Sequence, residues 1–262
     1  MFADTPYHIQ NGDCLQLLPQ VEDGSVDMIL CDLPYAVTNP SSEAGQWDSI
    51  IPMEPMWEQF LRVTKHNAAI VLFSQGMFTA QLMMSQPRLW RYNLVWDKCR
   101  STGFLNASKM PLRRHEDILV FYRKQPTYNP QLVLCDPSER THSRGNLKNR
   151  QTNRVYGEYK DVPTKDPEHK YPGSILKFPR PHATGNHPTE KSVDLCRWLI
   201  RSYTNKGDTV LDATAGSGTT GVACFLEERK CILIEKEKRY MEIARKRIDN
   251  LMKSPIQEEF AL

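Results

Sequence analysis

The apolar run Val26-Asp27-Met28-Ile29-Leu30-Cys31 ends at Asp32-Leu33-Pro34-Tyr35, and that junction constrains the fold more than any other stretch of the chain. A strand buried on both faces reads as a short continuous apolar run, the mark of a parallel sheet covered by helices. A carboxylate at the C-terminal end of such a strand opens into the crevice where α/β sheets bind ligands. Pro34 pushes Leu33 into an extended conformation and so fixes the direction of its carbonyl. One carboxylate and one fixed carbonyl are two acceptors, suited to a flat amino group with two N–H donors. Tyr35 adds a ring able to stack on whatever carries that amine. The pattern fits a site for an exocyclic amine on a nucleobase.

Alternation of strand and helix continues on both sides of an irregular middle. Residues 68–73, 92–96 and 118–122 read as further strands, with a helix near 54–65. From about 125 to 184 prolines and glycines recur and no apolar run exceeds a few residues, which in a compact domain points to a functional or disordered segment. Regular structure returns with helices at 192–203 and 219–228, strands at 209–211 and 231–234, and a last helix with Tyr240, Ile243, Ala244, Ile248 and Leu251 on one face. The expected architecture is α/β: one doubly wound, Rossmann-like mixed sheet carrying an insertion. Its three segments are 1–124, 125–185 and 186–262.

Charge is distributed unevenly along these segments. Residues 1–85 hold 2 Lys/Arg against 10 Asp/Glu, residues 86–185 hold 19 against 9, and residues 186–262 hold 13 against 12. A basic middle is the electrostatic footprint of a polyanion-binding segment, although a solvated loop region would carry the same charges. The start Met1-Phe2-Ala3-Asp4-Thr5-Pro6 lacks the basic and apolar regions of a signal peptide, and no apolar stretch approaches the roughly 18 residues of a membrane span. Seven cysteines without a CxxC pair argue against a disulfide framework or a zinc site. The chain is expected to be cytoplasmic, without metal, and its cysteines Cys31, Cys224 and Cys231 to be reduced core residues.

The second motif is Leu211-Asp212-Ala213-Thr214-Ala215-Gly216-Ser217-Gly218-Thr219-Thr220-Gly221, which follows an apolar strand and opens a helix. Gly216 and Gly218 let the backbone approach a ligand at a helix N-terminus. Glu235, about twenty residues beyond the glycines at the end of the next strand, is placed to grip a ribose hydroxyl pair. These features alone fit NAD, FAD or S-adenosylmethionine. The missing third glycine weakens the dinucleotide version, and without GKS or GKT a P-loop is excluded. For Asp212 a purely capping role is the lesser alternative, whereas Asp13, in Asn11-Gly12-Asp13-Cys14, serves equally as a turn residue.

Together the two motifs resemble those of the amino-methyltransferases that modify exocyclic nitrogens of DNA bases. The family's D/N/S-P-P-Y stands here as Asp32-Leu33-Pro34-Tyr35, and its D-P-F-x-G-S-G-T-T as Asp212 to Thr220. The catalytic motif precedes the cofactor loop, which is the permuted order of the family's β group. His187-Pro188-Thr189-Glu190-Lys191 resembles H-P-T-x-K-P, and Glu235 with Tyr240, Ala244, Arg247 and Ile248 resembles E-x-x-x-x-Y…A-x-x-R-I. Departures are Leu33 for the first proline, Ala213-Thr214 for Pro-Phe, and Ser192 for a proline.

The resemblance implies a site-specific, S-adenosylmethionine-dependent DNA methyltransferase with a flipped-out target base. Asp32, Leu33, Pro34 and Tyr35 are then catalytic, with Trp47 or Phe73 as a candidate second wall. The cofactor set is Asp13, Cys14, Thr189, Lys191, Asp212, Ala215, Gly216, Ser217, Gly218, Thr219, Thr220 and Glu235. Residues 1–124 become the catalytic half, 186–262 the cofactor half, and 125–185 a target-recognition insertion on double-stranded DNA. Arg113, Arg114, Arg140, Arg144, Lys148, Arg150 and Arg154 would hold phosphate, and Asn146, Asn149, Gln151 and Asn153 lie among them to read bases. Aspartate at the first motif position favours adenine N6 over cytosine N4, and the family implies a homodimer. Rivals are a glutamine methyltransferase, whose motif order is opposite, a nicotinamide oxidoreductase, which leaves Asp32–Tyr35 unexplained, and a DNA-binding protein on a decayed transferase fold.

Overall fold

In the computed structural model of the protein, residues 6–36, 49–135, 168–181 and 190–253 are described. One compact unit is formed by Met1–Asn129 with Ser174–Leu262, and a second by Pro130–Gly173.

The first unit is built on an eight-stranded sheet. Its strands are β1 (Tyr7–Asn11), β2 (Val26–Asp32), β3 (Thr64–Ser74), β4 (Trp90–Thr102), β5 (Arg113–Phe121), β8 (Ile175–Lys177), β9 (Thr209–Asp212) and β10 (Lys230–Glu235), in the spatial order β1-β10-β9-β2-β3-β5-β4-β8. The five strands from β1 to β3 run parallel, β5 is antiparallel to both its neighbours, and β8 is parallel to β4.

The apolar runs are continuous because each strand feeds two cores. Met28 and Leu30 face one side with α4 (Val193–Tyr203), α5 (Thr219–Leu226) and α6 (Lys238–Lys253). Ile29 and Cys31 face the other with α1 (Cys14–Leu17), α2 (Met53–Val63) and α3 (Met77–Ser85). Helices on both faces make the sheet doubly wound, as the pattern requires. Among the described residues no helix is long and apolar enough to cross a membrane, and all seven cysteines are free.

Some elements lie outside what periodicity reveals. β1 is an edge strand with only Ile9 buried, so it lacks an apolar run. α3 is preceded by Gly76, at φ 58, which offers no side-chain cap. β4 and β5 extend well beyond 92–96 and 118–122, since their polar outer ends pair with each other as an exposed hairpin. β8 falls in the stretch read as irregular because it has three residues and only Leu176 buried.

In the second unit β6 (Val133–Leu134) pairs antiparallel with β7 (His169–Lys170), extended by the Cys135 N–H donating to the Glu168 carbonyl at 2.7 Å. Arg140, Arg144, Lys148, Arg150 and Arg154, with the amides among them, lie outside the described residues, as do Trp47 and Thr189.

Gly218 is packed against the backbone of α6. Its φ is +80, and an added Cβ would stand 2.6 Å from the Ala244 Cβ and 3.0 Å from its Cα. Backbone cannot yield as a flexible side chain can. Gly218→Ala is therefore expected to destabilise the protein by roughly 2–3 kcal/mol, read as a lower urea midpoint.

Candidate active site

β2 and β9 are adjacent parallel strands from which the chain winds away in opposite directions, so a crevice opens at their C-terminal ends. Asp32 closes β2 and Asp212 closes β9. A cavity of about 300 Å³ lies there. It is lined by Asp32, Leu33, Pro34 and Tyr35, by Asp212, Ala215, Gly216, Ser217, Thr219, Thr220 and Glu235, and by Asp13, Cys14 and Lys191. Residues about 180 positions apart in sequence thus share one space. Gly218 sits behind it, setting the turn.

The two motifs are bonded to each other. The Thr214 hydroxyl donates to the Asp32 carbonyl at 3.0 Å, and the Ala213 N–H points at the Cys31 sulfur at 3.1 Å. Thr214, a departure from the family pattern, therefore acts as a cross-strand tie. Arg247 on α6 holds the glycine turn through the Ser217 carbonyl at 2.7 Å and pairs with Glu190 at 2.7 Å.

Glu235 braces the turn directly. One carboxylate oxygen accepts the Gly216 N–H at 2.7 Å and the other the Glu237 N–H at 2.8 Å. A carboxylate has about four lone-pair sites, so both oxygens can still accept from a ligand hydroxyl. Burial raises the Glu235 carboxyl above its ordinary range, against those two backbone bonds. Burial also pushes Asp212 up to about 7, although Thr220 and the Thr214 N–H donate to it. Asp13 caps α1 by accepting the Leu15 N–H at 2.9 Å, and still faces the cavity.

Asp32, itself partly exposed, joins a chain of alternating charges whose two lysines are buried. Its Oδ2 pairs with Lys191 Nζ at 2.6 Å, Lys191 reaches Glu116 Oε2 at 3.1 Å, and Glu116 Oε1 receives Lys98 at 3.2 Å. The Tyr35 hydroxyl donates to Asp32 Oδ1 at 2.5 Å. Burial raises the Asp32 carboxyl; Lys191 opposes the rise and Glu116 adds to it. Burial alone would lower the Lys191 ammonium, but Asp32 and Glu116 outweigh it and hold the group above its usual value. Burial works upward on Glu116 too, yet Lys191 and Lys98 keep it below the usual carboxylate range.

Aromatic placement is specific. The Tyr35 ring lies tilted against Phe78, with centroids 5.1 Å apart. Phe73 lines the cavity from the core, with Lys191 Nζ 5.2 Å from its centroid. Of the basic residues singled out from the sequence and described, Arg113 donates to the Gln75 side chain at 2.5 Å and Arg114 pairs with Asp97 at 2.7 Å.

Residues 26–246 match the N6/N4 methyltransferase family model, described as DNA methylase. The chain belongs to that DNA methylase family. Among its relatives, the type II methyltransferase M2.MboI of Moraxella bovis is 26% identical over 93% of this chain and 88% of its own length. The DNA adenine methyltransferase YhdJ of Escherichia coli K12 is 28% identical, covering 95% of the methylase and 84% of the relative. The fold is also that of a PvuII DNA methyltransferase described as cytosine-N4-specific, with a TM-score of 0.66, 16% identity and coverage of 97% and 89%. The M1.HpyAVI–SAM complex superposes with a TM-score of 0.59 at 22% identity, covering 92% of the methylase and 99% of that chain.

Sequence reasoning missed Glu116, Lys98 and the tie made by Thr214. Glu116 and Lys98 sit on facing strands in a hairpin whose sequence is polar, so no pattern separates two inward charges from the outward ones around them. Lys191, expected with the cofactor set, contacts Asp32 instead while also lining the cavity.

Proposed function

We propose that this methylase transfers a methyl group from S-adenosylmethionine to the N6 amino group of an adenine extruded from duplex DNA. The observation that carries the proposal is the meeting of Asp32 with the Gly216–Ser217 turn across one cavity.

The donor set suits the proposed cofactor. Backbone at Ala215–Ser217, the acid Glu235 and the capped start of α1 at Asp13–Cys14 offer acceptors and donors in a cavity that also holds Asp32, Lys191 and Asp212, and the volume falls at the lower end of small-molecule sites. Glu235 is assigned the ribose hydroxyls, and Asp13, Cys14, Thr219 and Thr220 the rest of the enclosure. When bound, S-adenosylmethionine supplies an electrophilic methyl group on a sulfonium.

An adenine amino nitrogen shares its lone pair with the ring and is a poor nucleophile. Asp32 is assigned to accept one of its N–H groups and the Leu33 carbonyl the other, which orients the nitrogen and turns its electron density toward the cofactor side of the cavity. Rate enhancement then comes from positioning and electrostatics. Lys191 favours the ionised form of Asp32 against the effect of burial, without consuming its remaining lone pairs. Tyr35 fixes Oδ1 and offers its ring as a wall. A base inside a duplex cannot reach this crevice, so it must be flipped. The choice of adenine draws on aspartate at position 32 and on the adenine activity named for one relative. Residues 125–185 are assigned to target recognition on their charge.

Incubation of the full chain with labelled S-adenosylmethionine and unmethylated DNA, followed by nucleoside mass spectrometry, is expected to give N6-methyladenine. N4-methylcytosine would overturn the choice of base, and labelled protein with unlabelled DNA would overturn the substrate.

A further inference from the structure

Between β4 and β5 the chain leaves the sheet at Thr102 and returns at Arg113, and the tip of this loop is apolar and bare. Phe104 is 77% exposed and Leu105 79%, with Met110 at 58%. Such side chains cluster at a surface when a partner covers them. The loop is also shaped in advance. Gly103, in the left-handed region at φ 83, turns the chain into a 3-10 turn at Phe104–Asn106, and the Lys109 and Met110 N–H groups both donate to the Asn106 carbonyl, at 2.9 and 3.1 Å. Ordering a tip before binding removes an entropic penalty from association.

Charge and position name the partner. Residues 98–115 contain five Lys/Arg and no Asp/Glu; Arg114 pairs with Asp97 and Lys98 with Glu116, while Arg100 and Lys109 stand exposed beside the apolar tip. A polyanion with an apolar interior matches both properties. At its base, Thr102 and Arg113 line a second cavity of about 180 Å³ shared with Glu116 and Lys191, which also line the cavity holding Asp32. The foot of the loop therefore borders a cavity that shares lining residues with the site an extruded base would enter.

We propose that the loop is a DNA wedge: Phe104 and Leu105 enter the base stack and fill the gap left when the target base swings into the site. This rests on the function proposed above. Apolar wedges compensate unstacking where duplexes are opened or kinked, and an already unpaired base needs less help.

The test uses a methylation site first mapped with the wild-type protein, embedded in two oligonucleotide duplexes. In one the target base is paired; in the other it faces a mismatch. The double variant Phe104→Ala, Leu105→Ala is expected to lose roughly thirty-fold in kcat/KM on the paired duplex and less than about three-fold on the mismatched one. Its thermal stabilisation by S-adenosylmethionine should equal the wild type's, and a 2-aminopurine at the target should brighten less on binding. Equal losses on both duplexes, or none on either, would overturn the wedge. A lower oligomeric mass by light scattering in the variant would also overturn it, making the loop a contact between copies. Failure of the wild-type protein to methylate any DNA would instead overturn the underlying function, and is seen before the variant is made.

Discussion

Asp32→Ala should lower methyl transfer by roughly three orders of magnitude while leaving S-adenosylmethionine affinity within a few-fold. The size of the loss follows from removing one of two acceptors that orient a weak nucleophile. The fold should survive, because Lys191 keeps Glu116 as a counter-charge at 3.1 Å when Asp32 is gone. Asp32→Asn makes the sharper control. It preserves shape but presents a second NH2 donor, or a neutral oxygen, to the substrate's own N–H groups. Single-turnover rates beside cofactor titration separate the two effects, and a turnover within ten-fold of wild type in either variant would remove Asp32 from the reaction.

Lys191→Met carries the second large effect, on stability and on pH dependence together. Taking away one member of a buried ion group leaves the others uncompensated and typically costs about 3–5 kcal/mol. Asp32 lies among Lys191, Glu116 and Tyr35, with Asp212 and Cys196 close by. Its carboxyl is already raised by burial, and without Lys191 it rises further. A carboxyl raised in the folded state contributes stability at low pH and loses it as pH climbs through the folded value. The deficit of Lys191→Met relative to wild type should therefore widen from acid toward neutral pH. If transfer needs ionised Asp32, the acid limb of kcat moves to higher pH in this variant. Glu116→Gln should move it the other way, since the Glu116 charge also raises Asp32. Opposite displacements are not what a merely structural role produces. Limbs that stay in place in both variants would refute the electrostatic coupling.

Much of this architecture was legible because burial on two faces leaves a mark in sequence. The runs ending at Asp32, Asp212 and Glu235 announce the central parallel strands, and a ligand crevice follows from where those strands stop. What remained hidden has physical reasons as well. β1 and β8 gain their place from pairing with a neighbour, which leaves little hydrophobic trace in five and three residues. The Lys98–Glu116–Lys191 chain depends on which side of a polar hairpin faces inward, a matter of register that composition does not encode. Thr214 looks like a lost aromatic in the motif, whereas its hydroxyl, held 3.0 Å from the Asp32 carbonyl, needs the three-dimensional neighbour to acquire meaning.

The pairing of β2 with β9 also bears on how the molecule is born. On the ribosome, β2 emerges long before its neighbour on one side, and about 180 residues must be synthesised before Leu211 can lie against Ile29. Until then the nascent chain presents an apolar strand edge with nothing beside it, the condition that invites aggregation and slows productive assembly. Newly made chains should accordingly depend on holdase protection until the C-terminal strands arrive.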